Sequence, residues 1–269
     1  MSDQNAQSTR ESVRKWYDEY GWREGRGGLS GEDRQFRSSP QTRAWRAFAP
    51  RREQRVASLF ERYRGDLLIV GGGDLPDADA RIAERFDGVT CVDISAAALE
   101  ISCKKLGPRA CSVLGSITDA DMRNQRFDAA LASHVIYHIH ADEQEIAVRR
   151  MISLLRPGGR IVIIYSNPNS PSALPGEVVR ALRGKPKSSS NAPWPLYFHA
   201  HPLRWWRRFA DQCQVSLLPW APLGTRTSKL LSNNTVASAF FAVAKLIEDR
   251  APGLAVRLWH YPIVVLDVR

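Results

Sequence analysis

The sequence predicts an α/β protein built on a doubly wound, mainly parallel sheet. Three observations carry this. A wholly apolar run, Leu67 to Val70, ends on three consecutive glycines, Gly71, Gly72 and Gly73. A carboxylate, Asp93, stands 22 residues after the first of them. Strand-like and helix-like segments then alternate as far as Tyr165, the order that βα crossovers impose.

Each element follows from local pattern. Residues 1–9 are polar and lack aromatic side chains, which predicts disorder. From Glu11 the stretch ESVRKWYDEYGW sets Val13, Trp16, Tyr17 and Tyr20 at helical spacing and stops at Gly21. Glycine, serine and charge dominate residues 22–40, a flexible connection. Ala44 to Tyr63 reads as a helix broken at Pro50, with Val56, Leu59, Phe60 and Tyr63 as its apolar stripe.

The run from Leu67 to Val70 has the uninterrupted apolar character of a parallel strand covered on both faces. The glycines bring backbone N–H groups close to a ligand, and Pro76 suits the start of a helix carrying Ala78, Ala80, Ile82 and Ala83. A second strand, Val89 to Val92, delivers Asp93 to its tip, where a carboxylate can hold both hydroxyls of an adenosine ribose. The same aspartate could instead cap the next helix, a role open equally to Ser95.

Further along come a helix from Ser95 to Lys105, a strand from Ala110 to Leu114, and a loop of Gly115, Ser116 and Ile117. A fourth strand opens with FDAAL at Phe127 and runs toward Ala132, Ser133 and the segment HVIYHI. A helix over Asp142 to Leu155 and a tight turn, Arg156 to Gly159, lead into a strand at Arg160 to Tyr165. Beyond Pro168 a Pro, Ser and Lys rich stretch holds a short helix around Glu177 to Leu182. Pro202 to Cys213 reads as a helix, Gln214 to Leu218 as a strand, Thr235 to Ile247 as an apolar helix and Ile263 to Val268 as the last strand. The tract Arg204, Trp205, Trp206, Arg207, Arg208 would suit stacking and phosphate contact. Its competing reading has Trp205, Phe209 and Cys213 in the core and the arginines in water.

Composition limits the function classes. The four cysteines form no Cys-x-x-Cys pair, which predicts a reduced, cytoplasmic protein with no thiolate metal site; no metal is expected. No apolar run approaches a bilayer span, and the N-terminus lacks the apolar stretch of a signal peptide. The net charge of +10 is uneven. Fourteen basic residues face nine acidic ones up to position 64, eleven face fourteen over 65–166, and thirteen face five thereafter. Basic flanks around a mildly acidic centre suit an anionic partner, whether small molecule, lipid surface or nucleic acid.

The ordered set LLIVGGGD, VTCVDIS, GSITD, FDAALASHVIYHI and LLRPGGRIVIIYSNP resembles the class I S-adenosylmethionine-dependent methyltransferases of the small-molecule type. The resemblance implies a Rossmann-like seven-stranded sheet of order 3-2-1-4-5-7-6 with strand seven antiparallel. It implies a helical N-terminal lid over 1–64 and a methyltransferase domain over 65–269. Within that domain the cofactor core would span 65–166, the substrate-side insertion about 167–213, and the last two strands with their helix 214–269. The cofactor would be S-adenosyl-L-methionine, released as S-adenosyl-L-homocysteine. Gly71, Gly72 and Gly73 would lie along its methionine part and Asp93, followed by Ile94, would take the ribose. Ser116 and Ile117 would meet adenine, and Ala132 and Ser133 would flank the sulfonium. Three positions depart from the family pattern: Ile69 and Ser116 replace acids, and Leu75 replaces a glycine.

Methyl transfer needs an aligned acceptor and, for a protonated oxygen or nitrogen, a base, for which histidine is best tuned. The candidates are His138 first, then His134, with Tyr17 as a residue orienting the acceptor from the lid. The expected partner is a small anionic or amphipathic molecule methylated on oxygen. Nucleic acid is the runner-up, favoured by the basic flanks but without an Asn-Pro-Pro-aromatic or Pro-Cys motif. A non-catalytic cofactor-binding protein is the third reading. Peripheral membrane contact, and a monomer or a homodimer, stay open.

Overall fold

The computed structural model describes residues 2–21, 43–122, 125–171, 194–224, 231 and 233–269. The segment around Glu177 to Leu182 and the connection over 22–40 lie outside the described residues.

Seven strands form one sheet of order β3-β2-β1-β4-β5-β7-β6. They are β1 (Asp66–Val70), β2 (Gly88–Asp93), β3 (Ala110–Leu114), β4 (Phe127–Ser133), β5 (Leu155–Ile164), β6 (Cys213–Ala221) and β7 (Tyr261–Val268). β1 to β5 pair in parallel, and β7 runs antiparallel to both β5 and β6. Sequence-adjacent residues belong to opposite cores, as the strand period of two requires. Leu68, Val70, Ile161, Ile163, Val264 and Leu266 pack on one face, and Leu67, Ile69, Val162, Ile164, Ile263 and Val265 on the other. Ile69, one of the departures, is thus an ordinary core residue, 2% exposed.

Helices cover both faces. α1 (Ser2–Trp16) continues as a π-helical turn through Gly21, and α2 is Arg43–Ser58. Then follow α3 (Asp77–Ala83), α4 (Ala96–Leu106), α5 (Gln144–Leu154), α6 (Asn234–Arg250) and α7 (Pro252–Leu258). α2 is tied to α6 and α7 through one buried carboxylate: Glu248 accepts from Arg51 Nε at 3.2 Å, a terminal nitrogen of Arg55 at 2.7 Å and Trp259 Nε1 at 2.8 Å.

Four local expectations are corrected. Residues 2–9 are helical rather than disordered, because tertiary contacts hold them: Ala6 and Val13 are buried, and Arg10 bonds across to distant loops. Pro50 sits inside α2 without breaking it. It forfeits one backbone hydrogen bond, but Phe48 against Phe241 (5.0 Å between centroids) and the buried Val56 anchor the helix on either side. The stretch Leu203–Phe209 is a 3-10 helix, whose threefold period puts Trp206 and Phe209 on one side, both fully buried. Finally, Arg156 to Gly159 is no separate turn, since β5 already begins at Leu155, paired with Phe127 across an irregularity.

The third departure, Leu75, adopts φ +50° while wholly buried. Its N–H bonds Gly72 O at 2.9 Å and closes the glycine turn. Here burial outweighs backbone preference: the left-handed conformation costs roughly 1–2 kcal/mol, whereas deleting a buried leucine side chain costs about 2–5 kcal/mol. Leu75→Gly is therefore expected to destabilise by about 2 kcal/mol in urea denaturation, although glycine is the residue that the sequence resemblance implies there. A stabilised variant would show that strain dominates.

Candidate active site

The carboxyl ends of β1, β2 and β4 meet under the π-helical turn. At the first of these, Gly71 bonds through its N–H to Val92 O at 2.8 Å, and Gly71 and Gly73 take φ of +62° and +56°. A Cβ built on Gly71 would lie 1.9 Å from Val135 Cγ2, so this glycine lets the loop after β4 press against the turn. Gly72 is similarly confined by Ile69.

Asp93 ends β2 with both oxygens engaged. Oδ2 accepts from Gly73 N at 3.3 Å and Oδ1 from Ser95 N at 2.9 Å. Ser95 is also the cap of α4, accepting from Ala98 N, so the helix-capping task falls to the serine rather than to the aspartate. Burial pushes the Asp93 carboxyl up to about 6, with nearby Asp18 adding to the rise and the backbone amides of Ser95, Gly73 and Ile94 opposing it.

Asp18 was not singled out from the sequence. Its Oδ1 accepts from Ser95 Oγ at 2.5 Å, so Ser95 links the β2 carboxylate to the N-terminal segment. The preceding residue, Tyr17, lies edge-on to His138, 6.2 Å between centroids. The turn therefore spans from Asp93 to the histidine. α1 is held in place by Arg10, which donates to Asp119 Oδ2 (2.6 Å), Thr118 Oγ1 (3.1 Å) and Glu143 Oε1 (2.9 Å).

Ser116 and Ile117 are both buried. Ser116 Oγ accepts from Thr118 Oγ1 at 2.8 Å and its carbonyl from Ala120 N at 2.7 Å, so this serine organises its own turn, while the Ile117 side chain packs in the core. Ala132 is buried in the same core, and Ser133 lies beside the Asp79 carboxyl of α3, which burial raises to about 6.

The two histidines part company. His138 Nδ1 is 2.7 Å from the carbonyl of Tyr197. A carbonyl only accepts, so Nδ1 carries the proton and Nε2 keeps its lone pair. Burial lowers His138 to about 4, and it is neutral near pH 7. His134 instead has φ +62°, engages the Tyr137 hydroxyl through Nδ1 at 2.8 Å, and packs against Trp220 (5.0 Å) and Tyr261 (4.9 Å). Burial lowers it to about 3. Tyr137 stands between the two rings, 4.6 Å from His138.

The Arg and Trp tract offers no stacking platform. Trp205 is 7% exposed and Trp206 fully buried against Tyr165, while Arg204, Arg207 and Arg208 face solvent. Among the described residues no helix is long and apolar enough to cross a membrane.

Residues 70–163 match the family model described as a methyltransferase domain. The fold is similar to that of magnesium protoporphyrin IX methyltransferase from Synechocystis PCC 6803 solved with bound SAH: 12% identity, 97% of this chain, 100% of that chain, TM-score 0.60. It is also similar to DhpI in its SAH complex: 11% identity, 99% of this chain, 96% of that chain, TM-score 0.53. The small RNA methyltransferase HEN1 aligns over 82% of this chain but 26% of its own, with 14% identity and TM-score 0.53. At these identities the likeness is one of fold. A search of curated proteins finds no match.

Proposed function

We propose that this chain, whose residues 70–163 are a methyltransferase domain within the class I fold, is an S-adenosylmethionine-dependent methyltransferase that methylates a small anionic or amphipathic molecule on oxygen. The observation that carries the reading is the Ser95 link between Asp93 and Asp18, beside the glycine turn and one residue from the Tyr17 contact to His138. Two carboxyl groups close together, one raised by burial and further by the other, suit a ligand that brings hydroxyl donors and positive charge. A ribose and a sulfonium meet both requirements.

Asp93 and Gly73 would hold the ribose and methionine ends of the cofactor, with Ser133 and Ala132 near its reacting end. When bound, the cofactor supplies a methyl group already activated by its sulfonium. The chain's own residues then align the acceptor, a contribution worth about 7–11 kcal/mol in well-oriented systems. Tyr17 and Asp18 would close over the site from the N-terminal segment, excluding water. His138 Nε2 would accept the acceptor's proton, the Tyr197 carbonyl keeping the ring in the competent tautomer. A base lowered to about 4 removes only a proton that is itself acidic, which favours a phenolic over an aliphatic hydroxyl.

His138→Ala is expected to lower kcat by about 10²–10⁴-fold, the usual span for a lost general base, with affinity for S-adenosylhomocysteine unchanged. Methyl-labelled cofactor with a panel of phenols and carboxylic acids gives the rate, and calorimetry gives the affinity. Full turnover by the variant on any accepted substrate would remove His138 from the chemistry.

A further inference from the structure

Next to His134 lies a group of N–H donors that the proposed transfer does not use. The guanidinium of Arg52, half-buried on α2, sits between the rings of Trp45 (4.8 Å) and Trp220 (4.5 Å). These faces satisfy its charge from above and below but not its N–H edge. Arg52 Nε is fully enclosed with no hydrogen-bond partner, and among the described residues no carboxylate lies within ion-pair distance of it. Its chain neighbour Glu53 is paired with Arg81 at 3.1 Å instead. Trp220 Nε1 is likewise an enclosed donor without a partner, and His260 Nδ1, which donates in one of the ring's two tautomers, is enclosed without one as well. Tyr261 joins these groups, its ring centroid 5.9 Å from Trp220, 4.4 Å from His260 and 4.9 Å from His134.

A buried donor left unpaired is costly, and a charged one more so. An arginine stacked on Trp220, whose own Nε1 is unpaired, forms an arrangement that an acceptor of negative charge would complete. The group stands at the carboxyl end of the sheet, where β4, β6 and the start of β7 meet, and connects through His134 and Tyr137 to His138.

We propose that Arg52, held between Trp45 and Trp220, binds the anionic group of the methyl acceptor, a carboxylate or a phosphate ester, and so sets substrate choice. The proposal rests on the methyltransferase reading for its biological meaning, but its binding chemistry is independent of it. Burial lowers the Arg52 pKa, with the nearby Glu53 and Tyr261 opposing the drop.

The test compares wild type, Arg52→Met and Arg52→Lys, each alone and saturated with S-adenosylhomocysteine, by calorimetric titration with benzoate, phenyl phosphate and the neutral benzamide. Wild type should bind one or both anions at least tenfold more tightly than benzamide. Arg52→Met, which keeps an unbranched stem but removes the guanidinium, should lose that preference while its S-adenosylhomocysteine affinity stays within about twofold and its Tm does not fall. Arg52→Lys should retain part of the preference. Benzoate binding to wild type the more tightly indicates a carboxylate acceptor, phenyl phosphate a phosphate ester. No anion preference in wild type, or an equal one in Arg52→Met, overturns the proposal. Loss of S-adenosylhomocysteine binding in Arg52→Met would also overturn it, assigning the arginine to the cofactor's own carboxylate. Failure of wild type to bind S-adenosylhomocysteine would sink the methyltransferase reading alone, since the anion preference is still read on the free protein.

Discussion

In calorimetric titration, Asp93→Ala is expected to bind S-adenosylhomocysteine at least about 100-fold more weakly than wild type. Hydrogen bonds to a charged group contribute about 1.5–3 kcal/mol each, and two ribose hydroxyls would be lost together. The substitution also strands the N–H groups of Gly73 and Ser95, which the carboxylate now pairs, so the glycine turn and the start of α4 lose their common anchor. Asp93→Asn separates these effects. It keeps the volume, but its amide must turn an NH2 toward one of those two donors.

The same carboxyl predicts a pH dependence. In the free protein burial holds Asp93 at about 6. Only the ionised form accepts on both oxygens, and bound hydroxyls favour it further, so the bound form binds fewer protons than the free one. Affinity should therefore weaken as pH falls through about 6, by at most tenfold per unit, and level off above it. The Asp93→Asn variant should show no such slope. A wild-type affinity independent of pH would detach Asp93 from the ligand.

The second large effect is expected at Gly71. An alanine there would carry a Cβ 1.9 Å from Val135 Cγ2, at a φ of +62°. The clash costs about 1–3 kcal/mol and the conformation roughly 1–2 kcal/mol, so Gly71→Ala should lose about 2–5 kcal/mol in urea denaturation. Val135→Ala removes the clashing methyl groups but leaves Val135 Cβ 3.0 Å away and the backbone strain in place. The double variant should thus be more stable than the sum of the two single losses, though still below wild type. Strict additivity would mean that the turn and the loop after β4 are not in contact in solution.

Much of this molecule could be read from the chain alone. The doubly wound sheet was legible because buried parallel strands must be continuous apolar runs, as at Leu67 to Val70, and because glycine turns and carboxylates recur where strands end. Seven strands in the order that the family resemblance implied are present, with β7 reversed. The neighbourhood of Gly73 and Asp93 was legible for the same reason, since both lie in one βαβ unit whose geometry is local.

Tertiary structure alone decided the rest, and in each case the deciding contact joins residues far apart in sequence. Helicity at residues 2–9 depends on Arg10 reaching Asp119 and Glu143, which no window around Ser2 contains. The contrast between His134 and His138, four residues apart, was set by what surrounds them: Trp220 and Tyr261 enclose the first, while the second pairs through Nδ1 with the Tyr197 carbonyl. Asp18 beside Asp93, and Arg52 between Trp45 and Trp220, likewise exist as pairs only after folding. Periodicity and turn chemistry determine where elements begin and which faces they bury. Electrostatic environment depends on distances through space, and those arise only when the elements pack.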